Sequence, residues 1–179
     1  MNLLKFHNKI KGYTQNRQPG IEADMEPKPI AELEEYKAAG KLENKVALIT
    51  GGDSGIGRAI AILYAKEGAN VAIGYYDEHQ DAEDTVNRLQ EMGVKAKAYA
   101  HDLKDEKQSQ KLIKDVINDF GSLNILVNNG GVQFPRDHFE DITPQQVKET
   151  FMTNIFGMMF LSQSAVPYLS EGDTIINTT

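Results

Sequence analysis

The chain has 179 residues, enough for one domain with a hydrophobic core. Its 26 acidic and 19 basic residues give a net charge of -7, which argues against a nucleic-acid-binding protein. It contains no cysteine, which excludes disulfides and thiolate zinc sites, and its first residues lack the apolar run of a signal peptide or membrane span. We therefore expect a cytoplasmic protein that binds neither nucleic acid nor membranes.

Residues 1–40 differ from the rest of the chain and are interpreted as a polar N-terminal arm. They carry Pro19, Pro27 and Pro29 and show little periodicity, with at most a helical turn near Ala31–Ala38. The pattern leaves three possibilities open. The arm is a disordered tail, it packs on its own domain, or it packs on a neighbouring subunit.

From Lys45 onwards, short apolar runs alternate with amphipathic segments, which predicts strands alternating with helices. The strands are predicted at residues 45–50, 70–76, 94–100, 123–129 and 173–179. Three helices are predicted at residues 55–68, 81–92 and 107–120, each stopped by a glycine. In the first helix, four large residues share one face: Ile56, Ile60, Leu63 and Tyr64.

A fourth helix is predicted after Thr143, which is a good N-cap. Pro144 stands at the first helical position, and Gln146 completes a capping box. The stretch Phe151–Leu169 that follows is apolar nearly all round. We therefore expect it to be buried or to lie at an interface.

This alternation predicts an α/β fold with a doubly wound parallel sheet of the Rossmann type. Parallel strands need right-handed crossovers, which place helices on both faces of the sheet. The expected strand order is 3-2-1-4-5, within a domain at residues 41–179. Because the fifth strand is the last element of the chain, we expect the domain to be incomplete on its C-terminal side.

The first predicted strand continues into "TGGDSGIGRA", which contains Gly51, Gly55 and Gly57. Glycines at a sharp strand-to-helix turn allow the backbone to approach a ligand, and the helix N-terminus favours a pyrophosphate. The required context is present, with a strand before and a helix after. We favour dinucleotide binding over the alternative, a tight turn with small residues for packing. The P-loop motif is excluded, because no Gly-Lys-Ser/Thr follows.

The spacing Gly-x-x-x-Gly-x-Gly after Thr50 resembles the short-chain dehydrogenase/reductase family. The resemblance covers the chain from about Leu42 to its end. Four further stretches carry it in the right order: "HDL" at Asp102, "NNGG" from Asn128, "TNIFG" at Asn154 and "IINTT" at the end. The polar arm adds a resemblance to a bacterial, stress-associated subgroup of that family.

The resemblance implies an NAD(P)-dependent oxidoreductase that acts on a carbonyl/alcohol pair of a small molecule. It assigns one residue to the catalytic machinery, Asn154, which in the family holds a water that links the catalytic lysine to solvent. The cofactor-binding residues that we expect from the loop and the resemblance are Thr50, Gly51, Asp53, Ser54, Gly55, Ile56, Gly57, Tyr75, Tyr76, Asp77, Asp102, Leu103, Asn129, Gly130 and Gly131.

Simpler interpretations exist for three of these positions. Asp102 either accepts from the adenine amino group, with help from the backbone of Leu103, or caps the following helix. Asn129 either lies against the cofactor or is an ordinary turn residue. At the next position the family usually has alanine, whereas this chain has Gly130. Asn154 is either the water-holding residue or a hydrogen-bonded buried amide.

The choice between NAD and NADP depends on the end of the second strand, where an acid accepts from the ribose hydroxyls and rejects a 2′-phosphate. The family position falls on Tyr75, and Tyr76 follows, neither of which is acidic or basic. Asp77 and Glu78 come next, which favours NAD weakly, whereas Arg58 could meet a phosphate. His79 and His101 are interpreted as solvated loop residues.

The family's catalytic groups are a serine, a tyrosine and a lysine, the last two spaced Tyr-x-x-x-Lys. None of the seven tyrosines of this chain has lysine four residues later. In the family, the strand that contains Asn177 leads to the catalytic serine, which we expect immediately after Thr179. We therefore interpret the chain as the cofactor-binding portion of a longer dehydrogenase, inactive by itself.

Two expectations concern the whole protein. The apolar helix after Phe151 and the helix with the missing tyrosine form the subunit interface in the family, so we expect a homotetramer.

The alternative function is a non-catalytic dinucleotide-binding or sensor protein that ends naturally at Thr179.

Overall fold

Five parallel strands form the centre of the fold in the order β3-β2-β1-β4-β5, as the alternation of strands and helices predicts. The computed structural model describes residues 15, 17, 20–33 and 35–178. The expectations for residues 1–14 and for Thr179 lie outside this range. The strands are β1 Val46–Thr50, β2 Asn70–Tyr75, β3 Ala96–Ala100, β4 Ile125–Asn128 and β5 Thr174–Asn177.

Helices cover both faces of the sheet, so the doubly wound fold is confirmed. The helices are α1 Gly55–Lys66, α2 His79–Glu91, α3 Glu106–Phe120, α4 Pro144–Phe151 and α5 Met158–Ala165. In β1, Ala47 and Ile49 pack towards α1 and α2, whereas Val46 and Leu48 pack towards α3 and α5. The strand order reverses direction between β1 and β4, and a doubly wound sheet binds its ligands at that point, beyond the carboxyl ends of the strands.

The prediction for the inner face of α1 is wrong at two positions. Ile56 is 71% exposed and Leu63 is 41% exposed, while Ile60 and Tyr64 are only partly buried. Small residues four apart form the inner face instead: Gly57, Ala61 and Ala65. Small side chains let the helix axis approach the sheet closely. Ile62 is buried beside them at 4% exposed, whereas Ile56 and Leu63 are left exposed.

The stretch after α4 is not one regular helix. A π-helical turn at Met152–Gly157 separates α4 from α5, and a 3-10 turn at Val166–Tyr168 follows. Only one side of this stretch is buried, at Gly157, Leu161 and Ala165. The opposite side exposes large apolar residues, namely Phe151, Ile155, Phe156, Met159, Val166 and Tyr168. The capping box at Thr143, with Pro144 and Gln146, is present as predicted.

The described part of the arm lies against its own domain. The carboxylate of Glu67, which is 4% exposed, accepts hydrogen bonds from the Tyr36 hydroxyl and from the backbone N–H of Ala39 and Lys41. Glu32 accepts two bonds from the Arg88 guanidinium, both of 3.0 Å. A single turn is present within the stretch Ala31–Ala38, where the Tyr36 N–H donates to the Leu33 carbonyl oxygen at 3.3 Å, and a 3-10 turn lies at Glu22–Asp24.

No helix within the described residues is long and apolar enough to cross a membrane.

Candidate functional site

The turn between β1 and α1 is shaped by the absence of side chains. Gly51 adopts a φ of 62°, and a Cβ at Gly57 would lie 1.9 Å from the Gly51 carbonyl oxygen. A Cβ at Gly55, in contrast, would meet no atom within 4 Å. Gly57 is therefore required for close contact between α1 and the loop before it, whereas a Cβ at Gly55 would have open space around it.

The loop after β4 is fixed against the end of β1. The Thr50 hydroxyl accepts from the backbone N–H of Asn129 at 3.0 Å and from that of Gly130 at 2.9 Å. The Asn129 side-chain amide donates to the Thr50 carbonyl oxygen at 3.1 Å. These bonds hold the ends of the two central strands in one arrangement, which agrees with a bracing role for this turn.

Two clefts lie at the carboxyl ends of the strands, of about 520 and 650 Å³. The first lies between the glycine loop and the ends of β2 and β3, and the second extends towards the π-helical turn and Thr178. They meet at a shared wall formed by Ile56, Leu103, Asn129, Gly130, Gly131 and Val132. Together they form an elongated groove across the point where the strand order reverses.

Most of the residues expected at a cofactor site line this groove. The first cleft is lined by Gly51, Asp53, Ser54, Gly55, Ile56, Tyr75, Tyr76, Asp102, Leu103, Asn129, Gly130 and Gly131. Thr50 and Asn154 line the second cleft. Gly57 and Asp77 line neither cleft, since Gly57 packs against the loop and the Asp77 side chain is half-exposed.

Sequence reasoning left several lining residues out of the expected site. The sequence indicates Glu78 only as a neighbour of Asp77, yet Glu78 lines the first cleft. The other omitted residues are Gly74, His101, Lys104, Asn128, Val132, Gln133, Phe134, Glu149, Thr150, Phe151, Thr153, Ile155, Met158 and Thr178. Only Gly74 carried a usable signal, because a glycine inside a strand often marks a close approach to the backbone.

Two acids follow β2, of which Glu78 is buried and Asp77 is half-exposed. Glu78 is 8% exposed, and burial raises its pKa to about 7, with a further contribution from the neighbouring Asp77 carboxylate. The guanidinium of Arg17 lies 2.5 Å from Glu78 and acts in the opposite direction, because it favours the carboxylate. Burial also raises the pKa of Asp53 in the glycine loop.

The interpretation of His101 as a solvated loop residue is wrong. Its side chain is buried at the end of β3, and a Cβ at Gly74 would lie 2.5 Å from its ring. Neither ring nitrogen has a hydrogen-bond partner within the described residues. Burial lowers the pKa of His101, so the imidazole is neutral near pH 7. His79 is exposed, and its Nδ1 lies 2.9 Å from the Tyr75 hydroxyl.

Asp102 does not cap the helix that follows it. The N-cap of α3 is Asp105, whose side chain accepts from the backbone N–H of Lys107 and Gln108. One carboxylate oxygen of Asp102 accepts from the Lys104 backbone N–H at 2.9 Å, and the residue lies at the rim of the first cleft. The simpler of its two interpretations is therefore excluded, and its role towards adenine stays a prediction.

Asn154 links the π-helical turn to the loop after β4. Its side-chain oxygen accepts from the Val132 N–H, and its side-chain nitrogen donates to the Val132 carbonyl oxygen, both at 2.8 Å. This pair of bonds accounts for an amide inside an apolar helix. The contribution of Asn154 to a water chain beside a lysine stays a prediction.

The groove has the features that a dinucleotide requires. The space beside Gly55 is open at the N-terminus of α1, where a pyrophosphate is favoured by the helix dipole, although the Gly55 N–H itself donates to the Glu22 carboxylate. Polar groups that could contact an adenosine lie in the first cleft, and the second cleft continues towards Asn154. Within the described part of the chain, no group of three or more His, Asp or Glu side chains is placed to hold a metal ion.

Comparison with known proteins identifies the family. The family model described as short chain dehydrogenase matches residues 45–179. General stress protein 39 of Bacillus subtilis (strain 168) is 48% identical over 177 residues, which are 99% of this chain and 62% of that protein. Glucose and ribitol dehydrogenase of Daucus carota is 42% identical over 173 residues, which are 92% of this chain and 59% of that protein.

The fold agrees with solved structures. A short chain dehydrogenase from Burkholderia cenocepacia J2315, solved in complex with NADP, superposes with a TM-score of 0.73 at 36% identity, covering 76% of this chain and 56% of that chain. The present chain therefore spans about three fifths of the length of the relatives that it matches. From the family match, the strand order and the glycine loop together, we conclude that the chain belongs to the short-chain dehydrogenase family.

Proposed function

We propose that the protein is a cytoplasmic, NAD(P)-dependent oxidoreductase that interconverts a carbonyl and an alcohol on a small molecule. The observation that carries this proposal is the two-part groove at the carboxyl ends of β1 and β4, with the glycine loop at its centre. Two relatives support it by their names, since one is a glucose and ribitol dehydrogenase and another was solved with NADP. We infer a sugar, a polyol or a simple aldehyde or ketone as the substrate class.

Within this proposal, the residues of the chain bind and orient the dinucleotide. The pyrophosphate lies at the N-terminus of α1 and is held by the Ile56 N–H and the positive end of the α1 dipole, since the Gly55 N–H is bonded to the Glu22 carboxylate. Asp102 and the backbone of Leu103 bind the adenine, and Glu78 at the end of β2 lies beside the adenosine ribose. When bound, the nicotinamide supplies or accepts a hydride.

Asn154 is proposed as a positioning residue on the nicotinamide side. Its bonds to Val132 fix the π-helical turn at the wall of the second cleft. The proton that accompanies hydride transfer needs a general acid-base group. The 179 residues contain no Tyr-x-x-x-Lys pair. We propose that the natural protein supplies this pair and the serine from sequence that follows Thr179.

The apolar side of α5 and the preceding π-helical turn supports an oligomer. Phe156 and Met159 are 43% and 58% exposed there, and contiguous apolar surface of this kind is typical of an interface. We propose that this side forms part of a homotetramer interface in the natural protein.

Hydride transfer tests the proposed function. The natural gene product and the 179-residue chain are incubated with NADPH or NADH and a panel of aldehydes, ketones and sugars, and oxidation of the nicotinamide is followed by absorbance. We expect turnover by the natural product and none by the 179-residue chain. Steady turnover by the 179-residue chain would contradict the need for the Tyr-Lys pair. Dinucleotide binding without turnover by the natural product would instead support a sensor.

A further inference from the structure

Two residues of the N-terminal arm contact the two elements that form the first cleft. Glu22 accepts from the Gly55 N–H of the glycine loop at 2.5 Å and from the Arg58 guanidinium at 3.0 Å. Arg17 donates to the carboxylates of Glu78 and Asp77, at 2.5 and 3.0 Å. The arm therefore connects the start of α1 with the end of β2, on either side of the cleft.

Glu78 is the acid through which the arm reaches the groove. It is 8% exposed and lines the first cleft, whereas Asp77 is outside the cleft. An acid at the end of the second strand of such a fold accepts from the adenosine ribose hydroxyls and repels a 2′-phosphate. The strength of that repulsion depends on the net charge around Glu78.

That net charge includes the arm. The Asp53 carboxylate lies close enough to Glu78 to raise its pKa, and so does the Asp77 carboxylate. Arg17 is ion-paired with both Glu78 and Asp77 and offsets part of their charge. Arg58 is already paired with Glu22, and Lys104, which also lines the first cleft, lies 3.7 Å from Asp102.

We propose that the N-terminal arm is a working part of the dinucleotide site, in which Arg17 offsets the charge of Glu78 and thereby lets the site accept a 2′-phosphate. Glu22 holds the arm in place against the glycine loop. The arm is thus a determinant of the balance between NADP and NAD. This inference rests on the proposed dinucleotide-binding function. Its test distinguishes failure of the arm's role from failure of dinucleotide binding itself.

The test compares dissociation constants for NADPH and NADH, measured on the natural gene product by nicotinamide fluorescence. The variants are Arg17→Gln, Arg17→Lys and Glu78→Gln. Lys28→Gln is the matched control, because Lys28 is an exposed lysine of the same arm and the change in charge is the same. Removing one charge beside a partly screened site should weaken NADPH about fivefold more than NADH.

We expect Arg17→Gln to lose NADPH affinity selectively, and we expect no such loss in Arg17→Lys or Lys28→Gln. In Glu78→Gln we expect the opposite change, a gain in NADPH affinity relative to NADH. An NADPH-to-NADH ratio that is unchanged in Arg17→Gln, with normal binding of NADH, would overturn the role of the arm and leave dinucleotide binding intact. Failure of the unsubstituted protein to bind either dinucleotide would overturn both proposals.

Discussion

Substitution of Gly57 by alanine should collapse the glycine loop. The added Cβ would lie 1.9 Å from the Gly51 carbonyl oxygen and 2.7 Å from the Asn129 side-chain nitrogen. The carbonyl belongs to the backbone and cannot rotate away, so the loop must shift by roughly 1 Å or more. Forced packing of this kind costs about 1–3 kcal/mol of unfolding free energy.

The same substitution should weaken dinucleotide binding. The shift moves the loop N–H groups away from the pyrophosphate position, and a hydrogen bond to a charged group contributes about 1.5–3 kcal/mol. Loss of one such bond corresponds to roughly a 10- to 100-fold rise in the dissociation constant. Urea unfolding and fluorescence titration with NADPH measure the two effects.

Two other glycines separate ligand contact from backbone strain. Gly55 and Gly93 have φ values of 51° and 86°, and a Cβ at either position meets no atom within 4 Å. Alanine should cost about 1 kcal/mol at each, because both have left-handed backbone. Only Gly55→Ala should also weaken NADPH binding, since Gly55 lines the cleft. Normal NADPH binding by Gly57→Ala would refute this reasoning. Equal losses of NADPH affinity in Gly55→Ala and Gly93→Ala would refute it too.

Three further predictions concern pH and assembly. Burial lowers the pKa of His101 below 6.5, so the free energy of unfolding should fall as the pH drops below about 6.5, and His101→Gln should reduce this dependence in urea unfolding. Hydrogen bonds lower the pKa of Glu67 from 4.5 to about 2, and the bond from the Tyr36 hydroxyl has the largest effect. The contribution of Glu67 to the free energy of unfolding is therefore complete above about pH 4.5 and is lost as the pH falls towards 2. Glu67→Gln should remove that acid dependence and Glu83→Gln should not, and equal curves for the two variants would contradict it. Phe156→Glu should dissociate the natural oligomer in light scattering, and an unchanged mass would exclude this face as the interface.

The sequence predicts the strand order and the glycine loop because both depend on local patterns. Alternating strands and helices allow few parallel topologies, and glycines at a strand-to-helix turn have a specific backbone role. The capping box at Thr143 is equally local, since its partners are three residues apart. The order of elements could therefore be predicted, and so could about half of the lining residues of the groove.

Features that depend on distant contacts could not be predicted. The inner face of α1 is set by how closely the helix approaches the sheet, which favours Ala61 over Leu63. The burial of His101 depends on the space left at Gly74 in the neighbouring strand. The ion pair of Arg17 with Glu78 joins residues 61 positions apart, and no periodicity in the arm indicates it.

A crystal structure of the natural gene product with NADPH bound tests the central claim most directly. The account predicts the pyrophosphate at the N-terminus of α1 beside Gly55, the adenosine in the first cleft between Asp102 and Glu78, and the nicotinamide in the second cleft near Asn154. NADPH bound outside this groove, or a groove that stays empty when NADPH saturates the protein, would contradict it.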